Sequence, residues 1–465
     1  MHYNYKIYFV KLNINGKWKE ILIDNYFPII TNKENGSTNF CFGSSFQKEL
    51  WVSLFEKAWA KINGCYARIG CGGFCGEAFD VLTDAFTESY QIIGINDKRK
   101  KELWDNLYKA KNNKYVICAG TRHFGMFESV ISPSGLVGGH AYTIINIYHK
   151  TYKNKDYKLV KLRNPWGEKE FNGDWSDNSD RWKDPELRKI FEFVEAKDDG
   201  IFYMSYDDFL YYYRLVEILK ISPNYTTIAS CKIKKTEAYR CQVIRFRILR
   251  TGENKNQKKA HVFINLYQKN PRIVREDGNH FPDPVKGFII IAQQLPYDKY
   301  KYIKSVTGTK SHIAIEADLE IDQLYLIFCD VNYRFVYDEI YGYNITFYSN
   351  KMNQINVKNI TYKTSGTERS EILGKVLYDY YEKMEDKENK AEKMNKNDGL
   401  WNYFWSKKED KIDILKLKNY NEDFPFIILI LKYNKNMNNR NDNYFRLELN
   451  NQSGQKNNCI YGWNT

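Results

Sequence analysis

The sequence predicts an α+β chain: a mixed helix–strand unit followed by an antiparallel β-sandwich. Three observations carry this. Leu50, Leu54, Phe55, Ala58, Trp59 and Ile62 recur at helical spacing within residues 46–63. Runs such as 5–12 and 157–164 are instead dense in β-branched and aromatic residues, the composition of strands. From about residue 221 helical periodicity gives way to short strand-like runs between turn signals, the pattern of a sandwich. With 465 residues the chain has room for about two to four domains, and its 43% apolar content is enough to bury a sizeable core.

Taken in order, residues 5–12 and 18–23, separated by a turn at 13–16, form a hairpin. The helix over 46–63 ends at Gly64, where a residue free to adopt positive φ stops a helix. Two further helices follow, over 76–86 and over 99–111, the latter carrying Leu103, Leu107 and Tyr108. Strands are expected at 114–120, 140–149 and 157–164, a long ordered loop at 166–185, and a short helix at 205–215. A domain boundary falls near 220. The sandwich, residues 221–350, is built from 240–249, 260–268, 287–292, 324–330 and 343–348. Residues 351–465, rich in Lys and Asn, carry a charged helix over 368–394 with Ile372, Leu373, Val376, Leu377 and Tyr380 on one face, read as a solvated or partner-packed surface helix. Residues 412–449 look β-like.

Composition excludes several classes. The longest apolar run, 424–431, is interrupted by Pro425 and is strand-sized, so a membrane-spanning helix is not expected. The N-terminus lacks the basic-then-apolar layout of a signal peptide. Nine Cys in irregular spacing form no disulfide framework, which fits a reducing, cytoplasmic setting. Cys65, Cys71 and Cys75 contain no CxxC pair and have no nearby His, so they read as small core residues rather than zinc ligands. The formal charge of +13 comes from Lys spread along the chain without a recognition motif, so nucleic acid is not an expected partner.

The chemistry-bearing stretch is Gly138-Gly139-His140-Ala141-Tyr142-Thr143, followed by Lys161-Leu162-Arg163-Asn164-Pro165-Trp166-Gly167. A turn centred near Tyr152 places His140 opposite Asn164 on paired antiparallel strands, with Cβ atoms roughly 5 Å apart. An Asn carbonyl that accepts Nδ1–H of the imidazole fixes its tautomer and leaves Nε2 to take a thiol proton. That is the base-and-orienter half of a Cys–His–Asn constellation. Trp166 is placed to cover the pair, and Pro165 biases Asn164 towards extended backbone.

This motif resembles the calpain family of papain-like cysteine proteases. The match continues from Gly167 through Asp177, resumes at Asp198-Asp199-Gly200-Ile201-Phe202-Tyr203-Met204-Ser205, and includes the upstream helix Trp51 to Tyr66. The resemblance covers about residues 5–220. It implies the C-terminal portion of a papain-like core in 1–220, with His140 and Asn164 as the catalytic pair, Trp166 as its flank, and 126–136 as a gating loop. It implies peptide bonds of proteins as substrates. The weaker likeness of 221–350 to the sandwich that follows the calpain core implies a C2-like domain, with anionic lipid met through Lys255, Lys258 and Lys259.

One departure matters. The family's nucleophile opens a helix in a Gly-x-Cys-Trp context upstream of the strand that here begins at Tyr5, and none of the nine Cys precedes a Trp. The expectation is therefore an incomplete calpain-type endopeptidase, inactive as written, with a non-catalytic scaffold or membrane-binding relative as the alternative. Calcium is implied by the same resemblance: Glu170, Asp177 and Asp199 match acidic positions of the second-half site, and Glu49 one ligand of the first-half site. Ile201 replaces a carboxylate, which weakens the former. The competing reading of those acids is a solvated loop salt-bridged to Arg163 or Arg181.

Overall fold

The computed structural model describes residues 7–43, 45, 49–70, 72–123, 132–234, 241–275, 278–331, 342–360, 368–369, 371–377 and 379–380, together with three short strands beyond 427. The chain divides into two compact units, Met1–Thr226 and Thr227–Thr465. Among the described residues no helix is long and apolar enough to cross a membrane.

The first unit opens with an antiparallel hairpin, β1 (Ile7–Asn13) and β2 (Trp18–Asp24), and a second short pair, β3 (Ile29–Thr31) and β4 (Thr38–Phe40). Helices α1 (Trp51–Ile62), α2 (Tyr66–Ile69) and α3 (Cys75–Thr83) follow, then β5 (Thr87–Gln91) and α4 (Asp97–Asn112). The remaining elements are β6 (Val116–Thr121), β7 (Ala141–Tyr152), β8 (Lys155–Arg163), α5 (Pro185–Ile190), β9 (Ile201–Ser205), α6 (Tyr206–Tyr212) and β10 (Tyr213–Leu219). β5 to β10 form one antiparallel sheet in the order β5-β10-β6-β7-β8-β9. Helix α4 starts where Asn96 accepts the Arg99 amide at 3.0 Å and ends with Lys109 and Lys111 facing its carbonyl terminus. It buries Leu103, Trp104, Leu107 and Ala110 against Ile117, Ala119, Ile144, Val160 and Val216 of the sheet. Tyr108, expected on that face, lies 38% exposed, because Trp104 occupies the stripe instead.

The hairpin of β7 and β8 positions the site, and its register differs from the expectation. The turn is two residues, Lys153 and Asn154, both at positive φ (48° and 60°), as a right-twisted hairpin requires. The ladder therefore pairs Tyr152 with Lys155 and Asn146 with Lys161, then slips by one residue at Ile145, after which Ile144 faces Leu162 and Thr143 faces Arg163. Ile145 is a β-bulge residue.

The helix expected over 205–215 runs three residues too long; the structure ends α6 at Tyr212 and begins β10 at Tyr213. The cysteine cluster is not core: Cys65 is exposed and Cys75 half-buried, while Cys71 lies outside the described residues.

The second unit packs two antiparallel sheets. One contains β11 (Tyr225–Ile233), β18 (Tyr343–Asn350), β13 (Lys259–Tyr267) and β16 (His312–Glu320); the other contains β15 (Lys299–Gly308), β14 (Gly287–Leu295), β17 (Leu324–Val331), β12 (Gln242–Leu249) and β19 (Gln354–Asn359). Their inner faces share Ile244, Phe246, Ile264, Ile289, Ile327 and Phe347. The outer face of the five-stranded sheet is covered as well. Val376, Leu377 and Tyr380 of the helical residues 371–377 and 379–380 pack on Val243, Ile290, Leu326 and Phe328. The apolar stripe read as a surface helix thus closes a third layer, and Asp379 accepts the Tyr302 amide at 2.7 Å. The remainder of that predicted helix, 381–394, lies outside the described residues, as does most of 412–449 apart from β20 (Ile428–Ile430) and part of β21 (Arg446–Asn450), which pair with each other and with β22 (Lys456–Cys459). Lys255, Lys258 and Lys259 are exposed.

A β-hairpin turn with positive φ at both positions favours Asn-Gly, and Lys153 pays a steric penalty there. Replacing Lys153-Asn154 by Asn-Gly is expected to raise stability by about 0.5–1 kcal/mol, read as a higher thermal midpoint. An unchanged or lower midpoint would show that the turn is not what limits the hairpin.

Candidate active site

The bulge decides which side chains meet. After the slip, continuing the ladder one step sets Asn164 opposite Tyr142, with His140 two residues along on the same strand face. Without the extra residue Asn164 would face Thr143, and His140 would project from the other side of the sheet. Sequence reasoning placed the two residues directly opposite; the structure places them diagonally, a spacing that a ring and an amide still bridge. The His140 Nε2 atom lies 2.9 Å from Asn164 Oδ1.

Four hydrogen bonds fix the Asn164 amide, which is fully buried. Its Nδ2 donates to the carbonyls of Glu168 at 2.7 Å and Lys169 at 3.1 Å. Its Oδ1 accepts from the Trp166 amide at 3.1 Å as well as from His140. The two carbonyls settle which end of the amide is oxygen, and a carbonyl oxygen only accepts. Nε2 therefore carries the proton, and Nδ1 carries the lone pair of the neutral ring. This corrects the expected assignment, which had the nitrogens reversed.

His140 itself is gripped through its backbone. Its N–H donates to Thr121 Oγ1 at 2.9 Å, and its carbonyl accepts the Thr121 amide at 3.0 Å. Trp166 lies over the imidazole with ring centroids 4.4 Å apart, and Tyr142 meets it edge-on at 5.1 Å. Trp166 is 53% exposed, so it forms a lid on the solvent side. Thr121 escaped the sequence reading, as nothing in its spacing marks it.

The loop after β8 also grips Asn164 through its backbone. Asn164 N–H donates to Gly200 O at 2.8 Å. Gly200 has φ of 80°, and a Cβ there would lie 2.8 Å from the Asn164 carbonyl oxygen, so only glycine fits. Glu170 Oε1 accepts the amides of Asp199 at 3.0 Å and Gly200 at 2.7 Å. Asp177 Oδ2 accepts the Lys197 amide and Asp199 Oδ1 that of Ile201. Of the sequence-predicted acids, Glu170, Asp177 and Asp199 thus belong to one loop system. Glu49 stands apart at the opening of α1, bonded to the Trp51 indole at 2.9 Å. Arg181 pairs with Asp174 rather than with these acids. On the other side Gly135, at φ of 82°, lies so close to the Glu170 carbonyl that a Cβ would clash at 2.1 Å. Of the expected gating segment, 126–131 lie outside the described residues.

Burial, then the neighbouring Asp177 charge, pushes Glu170 up to about 7. Burial raises Asp177 too. In both, burial and neighbouring carboxylates outweigh the backbone amides that favour the ionised form.

Two outcomes follow from this geometry. Asn164→Asp keeps the shape but turns an acceptor towards two carbonyls, and is expected to cost about 2–4 kcal/mol in urea unfolding; a loss below about 0.5 kcal/mol would contradict the amide assignment. For Glu170, the folded state binds its proton more tightly than the unfolded state does. Stability should therefore fall as pH rises from about 5 to about 8, modestly because the group is partly solvated, and Glu170→Gln should flatten that part of the profile. A profile identical in both proteins would count against the shift.

Comparison with known proteins follows the same boundaries. Residues 2–220 match the family described as calpain family cysteine protease. The chicken calpain-2 catalytic subunit is 32% identical over 223 residues, covering 47% of this chain and 30% of that protein. Rat calpain-8 is 33% identical, covering 45% and 28%. The maize calpain-type cysteine protease DEK1 is 33% identical, covering 47% and 10%. The chain thus spans less than a third of the length of these relatives. Among solved structures, the Yersinia pseudotuberculosis-derived mitogen covers 28% of this chain and 86% of its own at 12% identity, with a TM-score of 0.17 that carries no argument. Over residues 2–220 the chain is thus similar to the calpain family of cysteine proteases.

Proposed function

We propose that the first unit supplies the base, the orienting amide and the indole cover of a calpain-type endopeptidase acting on peptide bonds of proteins. The observation that carries this reading is the His140–Asn164 hydrogen bond, which leaves Nδ1 as the proton acceptor. In this scheme a cysteine thiol brought against the Nδ1 edge gives up its proton, and the thiolate attacks the scissile carbonyl. Asn164 then holds the imidazolium in place for proton delivery to the leaving amine, and Trp166 keeps water from the His–Asn bond.

We infer further that this chain does not cleave peptides by itself. Among the described cysteines, Cys41 and Cys65 follow β4 and α1, Cys75 opens α3 on the same sheet face as Cys118, and Cys231, Cys241 and Cys329 belong to the second unit. Cys118 faces Thr143 across the ladder, on the strand face opposite Tyr142 and the His140 ring packed on it. None of these positions supports a thiol presented to Nδ1.

Calcium fits the donor set of the 170–199 loop. Glu170, Asp177 and Asp199 each use one oxygen on a backbone amide, and a hard cation takes carboxylate oxygens of this kind. Among the described residues no three acidic, His or Cys side chains converge as a finished metal group, so binding would have to gather them. Bound there, calcium supplies charge neutralisation of the loop that holds Asn164.

The test adds a polypeptide carrying the nucleophile segment of a relative to this chain and follows a fluorogenic peptide with and without calcium. The chain alone is expected to be silent. The mixture should turn over, and should lose about 100-fold or more with His140→Ala. Turnover by the chain alone, with covalent labelling of one of its cysteines, would overturn the inactivity. Turnover by the mixture that is indifferent to His140 would overturn the assignment of the base.

A further inference from the structure

On the sheet face away from the α4 core, one row of directly opposed residues runs across four strands. Ser89 on β5 faces Glu217 on β10, Glu217 faces Cys118 on β6, and Cys118 faces Thr143 on β7. Opposed residues share a face, so these side chains line up. The first turn of α3 sits on this row. Glu217, buried, accepts the Gly76 amide through Oε2 at 2.9 Å and stands within 3.3 Å of Ser89 Oγ through Oε1. A Cβ on Gly76 would meet that carboxylate at 2.6 Å, so the helix start is pressed onto the row. Cys75, the first residue of α3 and the neighbour of Gly76 in sequence, is thereby delivered to the row beside Cys118.

We propose that Cys75 and Cys118 are a modification site, a thiol pair that peroxide closes into a reversible disulfide joining the start of α3 to β6. The chemistry balances with hydrogen peroxide as oxidant. The Cys75 thiolate attacks one peroxide oxygen, breaking the O–O bond and releasing hydroxide, and becomes a sulfenic acid. The Cys118 sulfur then attacks that sulfenic sulfur; water leaves, and the S–S bond forms. Overall two thiols and one peroxide give one disulfide and two waters.

The roles are unequal. The Cys118 thiol donating to Cys75 holds the latter below the ordinary thiol range, against burial and the Glu217 charge, and Cys75 also sits at a helix N-terminus. Cys118, half-buried in the sheet, is pushed up by its Cys75 neighbour and then by burial. Cys75 is therefore the attacking sulfur and Cys118 the resolving one. Access is from the side of exposed Gly73 and Phe74. An S–S bond of about 2.05 Å requires the sulfurs to close up, which rotation of Cys75 at the helix start allows while β6 stays held on both edges.

The test treats the purified, reduced full chain with hydrogen peroxide, blocks remaining thiols with N-ethylmaleimide and maps cysteines by mass spectrometry. The expected result is loss of maleimide from both Cys75 and Cys118, a linked peptide pair, and its disappearance with dithiothreitol. With Cys118→Ser, dimedone should trap a sulfenic acid on Cys75. Maleimide on both residues after oxidation, or a bridge from Cys75 to any other cysteine such as Cys71, overturns the proposal. The wild-type map decides the question even if the variant does not fold.

Discussion

The buried carboxamide of Asn164 is the point on which the first unit's chemistry turns. One planar group joins four otherwise separate things: the imidazole at the head of β7, the backbone of the covering tryptophan, and two carbonyls of the loop beyond β8. Because it is fully buried, each of its polar atoms needs a partner, and each has one. The same satisfaction that stabilises the loop also dictates the imidazole tautomer. Structural and chemical demands are met by one set of bonds, so neither can be altered alone.

The acid-rich loop is joined to the same residue through its backbone. Gly200 accepts the backbone N–H of Asn164 and donates to Glu170, so the Asn164 backbone and the Glu170 carboxylate lie two hydrogen bonds apart. Glu170 tolerates its crowded position by using two backbone amides, which favour the ionised form, against burial and Asp177, which disfavour it. Burial and like charge win. The loop therefore holds crowded carboxylates close to the backbone of Asn164.

Much of this was legible in the sequence, for identifiable reasons. Long periodic segments such as α1 and α4 announce themselves, because a buried helix face must repeat every three to four residues. The sandwich strands 242–249, 259–267 and 324–331 are apolar enough to stand out. Strands β15 and β16 were missed: β15 is an edge strand studded with Lys299, Lys301 and Lys304, and reads as solvent-facing chain. His140, Asn164 and Trp166 were singled out because the motifs around them resemble the calpain family, since a His and an Asn on neighbouring strands alone say little. Their register was not legible, because Lys153-Asn154 carries no glycine to mark a two-residue turn and Ile145 looks like any strand residue. The helix over residues 371–377 and 379–380 was recognised but not its burial, since an apolar stripe does not say which surface it covers.

Ile145 constrains how this hairpin can vary. Two side chains cooperate only while an even alternation separates them, and the bulge supplies the one residue that restores evenness between strands of mismatched count. Insertions or deletions between the two motifs are thus neutral in pairs and ruinous singly. The stem is free to grow or shrink at its tip, as long as its arithmetic stays even.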